Sequence, residues 1–234
     1  MEKKFSLSPY TLNLFDDCPR CFWFHMVKGI LYRRPEPPTS TLPRGMDGLI
    51  KKYFDSYRRK KILPPEIKPF LEGFLVDEGI IKKWRNWKTG LSFVDGDGYR
   101  IFGALDECIV QDGIYVPLDY KTRGFQLKYD STSYYILQMS CYNFLLYKNN
   151  YRISSYAYLV FYIPSEYSLE GIVKFDVEVR KINTYSPQKV YEIFRKALGV
   201  LLNNEPPKAG DNCPFCKWAE MVNSHRQNRQ IRLF

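Results

Sequence analysis

From Leu91 the apolar pattern changes to a period of two in short runs separated by polar turns, and this period constrains the fold more than any other feature of the chain. Leu91-Ser92-Phe93-Val94 leads into Asp95-Gly96-Asp97-Gly98 and then Tyr99 to Asp106, the pattern of a hairpin closed by a polar, glycine-bearing turn. A further strand is predicted after Gln111-Asp112-Gly113, from Ile114 to Lys121, with Pro117 leaving one side of it unpaired or bulged. These segments predict a three-stranded antiparallel unit. The Asp95-Gly96-Asp97-Gly98 run has some character of a calcium loop, but it lacks the later acidic ligand and lies between two strand patterns.

On either side the period is helical. Ser8-Pro9 opens a first helix, with Ser8 at the N-cap and Pro9 where a missing N–H costs nothing, and a second short helix follows the cysteine pair Cys18-Pro19-Arg20-Cys21. Residues 33–43 carry four prolines and read as a connector. Gly45 to Lys60 predicts an amphipathic helix, and Thr132 to Lys148 a long apolar one. Strands are expected at Tyr156–Ile163 and Ile172–Arg180, and a last helix from Ser186-Pro187 to Leu202. The order implies an α/β fold, a mixed central β-sheet flanked by helices. The expected organisation is an N-terminal helical arm and connector (1–44), a core (45–204), and a cysteine-bearing segment with a basic tail (205–234), forming one compact unit.

A formal net charge of +10 favours a polyanionic partner, since each phosphate neutralised by Lys or Arg releases condensed counterions. Nucleic acid leads, and the 17% aromatic content suits base stacking beside phosphate contacts, although most rings are expected to fill the core. The basic helix Lys51 to Lys61 and the tail Arg226 to Arg232 are the expected contacts to backbone phosphates. No apolar stretch approaches the roughly 20 residues of a membrane span, and Met1-Glu2-Lys3-Lys4 opens no signal-peptide block, so no membrane partner and a cytoplasmic location are expected.

Asp106 and Asp119 are expected near the ends of adjacent strands, with Lys121 two residues beyond Asp119 and therefore on the same sheet face. Two carboxylates so placed suit Mg²⁺ or Mn²⁺, and a lysine beside them can orient a water or offset charge developing on a phosphoryl group. The ordered set Gly103-Ala104-Leu105-Asp106, Leu118-Asp119-Tyr120-Lys121-Thr122 and Gln138-Met139-Ser140-Cys141-Tyr142 resembles the PD-(D/E)xK nuclease superfamily. More narrowly it is similar to the RecB-like branch, which includes AddB nuclease domains and the exonucleases of CRISPR adaptation. The similarity runs from Phe5 to Trp218.

That resemblance implies a restriction-endonuclease-like core and a divalent-metal-dependent deoxyribonuclease. It would act as an exonuclease on single-stranded or frayed DNA in repair, recombination or defence, beside a helicase or another protein of such a pathway. It makes Asp106, Asp119 and the Tyr120 carbonyl metal ligands, Lys121 the catalytic lysine, and Gln138 and Tyr142 a Gln-x-x-x-Tyr motif on one helix face, contacting phosphate or bracing Lys121. Members usually carry a metal-binding His after a Gly, but Gly45-Met46-Asp47-Gly48-Leu49-Ile50-Lys51 has none; Asp47 is the candidate replacement. His25 and His225 lie elsewhere and are expected to be packed or solvated. Two rival readings stay open: a nuclease-like scaffold that has lost its chemistry and binds nucleic acid or a protein, and an RNA-directed nuclease or processing factor.

Four of six cysteines form two Cys-x-x-Cys pairs, Cys18/Cys21 and Cys213/Cys216, with chelating spacing. Four thiolates suit Zn²⁺ or a [4Fe-4S] cluster equally on residue type. The resembled branch often holds a [4Fe-4S] cluster with one cysteine early and three late, whereas here the arrangement is two and two. Cys108 and Cys141 are expected to be ordinary buried residues.

Overall fold

A computed structural model describes residues 4–30 and 41–230. Most of the expected connector, 33–40, and the side chains of the basic tail from Arg226 onward lie outside the described residues. The chain divides into two compact units, Met1–Pro9 with Ser40–Tyr191 and Tyr10–Thr39 with Glu192–Phe234.

The first unit is a mixed α/β structure with two sheets. β1 (Ser6–Leu7) runs parallel to β4 (Arg100–Gly103), which pairs antiparallel with β3 (Leu91–Val94) across the expected turn. Asp95 Oδ1 accepts from the amides of Asp97 and Tyr99 at 3.0 and 2.8 Å, so this carboxylate shapes its own turn. The larger sheet has the order β2 (Phe74–Leu75), β5 (Glu107–Gln111), β6 (Ile114–Thr122), β7 (Tyr156–Tyr167), β8 (Val173–Asn183), antiparallel except where β6 and β7 run parallel. Asp112 and Gly113 both have positive φ, 51° and 74°, as a two-residue type I′ turn between β5 and β6 requires. Pro117 lies just before pairing with β7 starts at Leu118, so its missing N–H leaves that ladder intact.

The expected three-stranded unit is therefore two hairpins in two sheets, and the strand expected to run from Tyr99 to Asp106 stops at Gly103. Helix α4 (Glu78–Trp84) supplies the physical reason. Its last carbonyl, on Trp84, accepts from the Leu105 amide at 3.1 Å, and Arg85 Nε donates to the Asp106 carbonyl at 2.9 Å. These bonds take residues 105 and 106 out of the β3–β4 ladder and deliver Glu107 to the larger sheet. Asp106 thus sits on the link between sheets.

Helix α3 (Thr41–Arg59) starts four residues before the expected Gly45 and takes in Pro43 within its first turn, where proline costs no hydrogen bond. Its Ile50 and Phe54 join Leu63, Ile67, Leu118, Tyr120 and Val160 in the core against the larger sheet. Helix α5 (Ile136–Lys148) begins after a short 3-10 turn at Ser133–Tyr135 and is buried nearly all round, from Leu137 to Leu146. It touches β6 as well as β3 and β4, and so lies between the two sheets. Gly103 permits this approach, since a Cβ there would stand 3.1 Å from the Tyr142 ring and 3.0 Å from Leu145.

In the second unit the expected short helices are α1 (Pro9–Asp17, whose first residue belongs to the first unit) and α2 (Pro19–Lys28). The expected last helix is α6 (Pro187–Leu201), through which the division between units falls after Tyr191. The cysteine-bearing segment, expected as a tail, contains a further helix, α7 (Pro214–Gln230). Trp23 is buried and donates its indole N–H to the Asn203 carbonyl at 3.1 Å.

Candidate active site and cysteine centre

Alternation along β6 decides which of its side chains meet. Leu118 and Tyr120 point into the core beneath α3, with the Tyr120 ring 5.3 Å from Phe54, while Asp119 and Lys121 take the other face. Asp119 is 1% exposed, and its Oδ2 stands 2.6 Å from Lys121 Nζ. The approach pairs the charges without hydrogen-bond geometry, which leaves Oδ2 a buried oxygen with no hydrogen-bond partner. Burial pushes the Asp119 carboxyl up from 3.8 to about 6; Lys121 opposes that rise and Asp106 adds to it. The Lys121 ammonium also lies 5.0 Å from the Tyr135 ring centre, within cation–π range.

Asp47 and Asp106 meet through a residue that sequence reasoning assigned elsewhere. Lys51 Nζ lies 2.9 Å from Asp47 Oδ2 and 2.9 Å from Asp106 Oδ1. Burial opposes its charge, but Asp106 and Asp47 outweigh that and hold the ammonium above the usual lysine range. Lys51 was expected among the phosphate contacts of the basic helix; instead it bridges two carboxylates. Arg58, from the same expected patch, is also withdrawn from solvent, with its guanidinium bonded to Glu107 and the Val76 carbonyl.

Arg58 belongs to an ionic network beneath Asp106. Arg85 pairs with Asp55 at 2.8 Å and with Glu107 at 3.3 Å, and Arg58 reaches Asp55 at 3.3 Å. Glu107 is fully buried, and its Oε1 accepts its neighbour Cys108's amide at 3.0 Å. Through the Arg85 bond to the Asp106 carbonyl, this network fixes the backbone that presents the Asp106 carboxylate. The visible sequence signals were Asp55 three residues before Arg58 on one helix face and Glu107 adjoining Asp106, but nothing local announced Arg85.

Gln138 and Tyr142 lie one turn apart on α5, and Gln138 Nε2 donates to the Tyr142 hydroxyl at 3.1 Å. Their bond is to each other. Burial raises the Tyr142 hydroxyl, with Asp119 and Asp106 adding to it, so its ring lies within their electrostatic reach. Tyr120 has a buried hydroxyl without a hydrogen-bond partner, raised by burial and by Asp106. Its side chain is on the opposite face from Asp119, and its expected contribution was the backbone carbonyl.

The carboxylates do not close as tightly as the cysteines. Among the described residues, the one group of three or more Cys, His, Asp or Glu whose ligand atoms all lie within 4.8 Å of one another is Cys18, Cys21, Cys213 and Cys216. These four cysteines can hold a metal centre. The Sγ separations are 3.8 Å for Cys18–Cys216, 3.7 Å for Cys21–Cys213 and 3.6 Å for Cys21–Cys216. All four thiols are free, and none of these distances is that of a disulfide.

The two pairs share a local design. Cys18 is the N-cap of α2 with Pro19 next to it, and Cys213 immediately precedes α7, which opens with Pro214. The proline supplies helical φ without an orphan N–H, and the second cysteine lies one turn in, so the helix start itself aligns two sulfurs. Burial opposes ionisation of Cys18, but the Gly210 amide, 3.3 Å from its Sγ, and the Cys21 amide bring it down to about 7. Cys108 and Cys141 are fully buried, and burial raises both. His25 packs edge-on to Tyr10, and His225 is exposed. Among the described residues no helix is long and apolar enough to cross a membrane. No family model matches the chain, and no curated protein matches it.

Proposed function

We propose that the chain is a divalent-metal-dependent deoxyribonuclease of the PD-(D/E)xK, RecB-like kind, with a restriction-endonuclease-like core, hydrolysing phosphodiesters at single-stranded or frayed DNA ends. The observation that carries this reading is the buried carboxylate of Asp119, whose Oδ2 has the Lys121 ammonium 2.6 Å away as its one charge partner and which lies within electrostatic reach of Asp106. A carboxylate in that position costs the fold stability, a cost expected of a working site rather than of a structural ion pair. Its oxygens and those of Asp106 are hard donors that fit Mg²⁺ or Mn²⁺. Asp106, Asp119 and the Tyr120 carbonyl would hold the ion, with Asp47 available once Lys51 is displaced. When bound, the ion would polarise a phosphoryl oxygen and lower the pKa of a water.

The protein's own groups supply the rest. Lys121, held between Asp119 and the Tyr135 ring, is placed to offset charge developing on the phosphoryl group. Arg85 keeps Asp106 at its station through the backbone, and Gly103 lets α5 bring Tyr142 and Gln138 close. The single-strand preference is supported by the segment after Lys121, where Phe125, Tyr129 and Tyr134 are 85%, 106% and 72% exposed and alternate with Arg123 and Lys128. A helicase partner and a role in repair, recombination or defence rest on the resemblance alone.

The test is cleavage of end-labelled single- and double-stranded DNA with Mg²⁺ or Mn²⁺, wild type beside Asp119→Ala and Lys121→Ala. Metal-dependent cutting that drops at least about 100-fold in each variant is expected. One observation favours a second reading, a scaffold that binds nucleic acid or protein without cutting: Lys51 already pairs with both Asp47 and Asp106 and offsets part of their charge. DNA binding without cutting, indifferent to both substitutions, would select it.

A further inference from the structure

We propose that Cys18, Cys21, Cys213 and Cys216 bind a single tetrahedral zinc ion, and that the [4Fe-4S] cluster which the RecB-like resemblance implies does not fit here. The decision rests on size. A Zn–S bond of about 2.3 Å places tetrahedral sulfurs about 3.8 Å apart. The three Sγ separations given above, 3.6, 3.7 and 3.8 Å, agree with that edge, and every pair lies within 4.8 Å. In a cubane each thiolate binds its own iron and radiates outward from it, which spreads the sulfurs to on the order of 6 Å. Accepting a cluster would require both helix starts to move apart.

The surroundings point the same way. Four thiolates on one Zn²⁺ leave a double negative charge in a site where three of the sulfurs' residues are buried. The Gly210 amide donates toward Cys18 Sγ, and the Cys21 amide in the first turn of α2 favours the same sulfur as thiolate. Among the described residues the group comprises these four cysteines alone, and burial holds Cys108 and Cys141, which belong to the first unit, as thiols. The arrangement of two cysteines from each of two Cys-Pro-x-Cys helix starts is a closed structural set, with no position left open for a reacting ligand. The centre therefore serves folding of the second unit and takes no part in phosphodiester chemistry.

The inference is independent of the nuclease reading, because its test reads metal content and not cutting. The full chain is produced with iron and zinc both supplied, purified without oxygen so that a cluster would survive, and assayed for zinc, iron and acid-labile sulfide. One zinc per chain, a colourless protein and no sulfide are expected, and replacement by Co²⁺ should give the visible bands of a tetrahedral thiolate site. A brown protein with iron and sulfide in equal amounts would overturn the proposal. So would a metal-free protein whose four cysteines react readily with a thiol reagent in the native state.

Discussion

Asp119 shows how far one residue of this site departs from what stability alone would select. Its carboxyl rises from 3.8 to about 6 because burial outweighs the Lys121 ammonium. The folded chain keeps a proton that the unfolded chain releases between about pH 4 and 6, so stability falls as pH rises through that window. For this buried group a rise of that size corresponds to about 3 kcal/mol. In metal-free buffer at pH 7, Asp119→Asn should therefore melt roughly 5–10 °C above wild type, with the gain vanishing near pH 4. A difference independent of pH would show that the variant acts through packing instead. The sequence disclosed Asp119 and Lys121 because a period of two is enough to place them on one face. Lys51, Arg58 and Arg85 were not legible, since a cation on an amphipathic helix reads as solvated until the fold brings a carboxylate from another element to it. Asp106 alone gave no hint that a lysine four residues beyond Asp47 would stand between the two.

At the scale of elements, the segment linking β6 to α5 is the part that would carry the proposed preference for single-stranded DNA. Phe125, Tyr129 and Tyr134 bury little of their surface in the fold, which is an unusual disposition for three large rings so near one another in sequence. Stacking on a base is worth about 1–3 kcal/mol per ring. The triple variant Phe125→Ala, Tyr129→Ala, Tyr134→Ala should lose at least about 10-fold in affinity for single-stranded DNA, measured by fluorescence anisotropy without catalytic metal. Duplex affinity and the salt dependence of binding should hold, because no phosphate contact is removed. Equal losses on both substrates would assign the rings to a structural role. Helix and strand existence was legible where the period was long and clean, as in α5, α6, β6 and β7. The failure at Asp106 has a physical cause: Tyr99 to Asp106 alternates correctly for one strand, but the Trp84 carbonyl and Arg85 capture the backbone at 105 and 106. Short strands such as β1 and β2 exist only because a partner strand orders them, so no local pattern marked them.

For the whole molecule, two compact units carry two different devices, a carboxylate and lysine site in one and a four-cysteine centre in the other. The first unit buries a continuous apolar cluster from Ile50 to Tyr162, reinforced by the Arg58, Arg85, Asp55 and Glu107 network. In the second, buried residues such as Phe22, Trp23, Phe194 and Leu198 are joined by a separate cluster of Cys18, Cys213 and Cys216, with Cys21 and Ala209 packed against it, at the starts of α2 and α7. If zinc fastens those starts, metal binding is folding free energy for that unit alone. Hydrogen exchange before and after removal of the ion by a strong chelator checks this. Amides at the starts of α2 and α7 should exchange many-fold faster once the metal is gone, while those of β6 and α5 keep their protection. Loss of protection across both units at once would mean that the cysteine centre supports the whole chain, and that the stability of the carboxylate site depends on it.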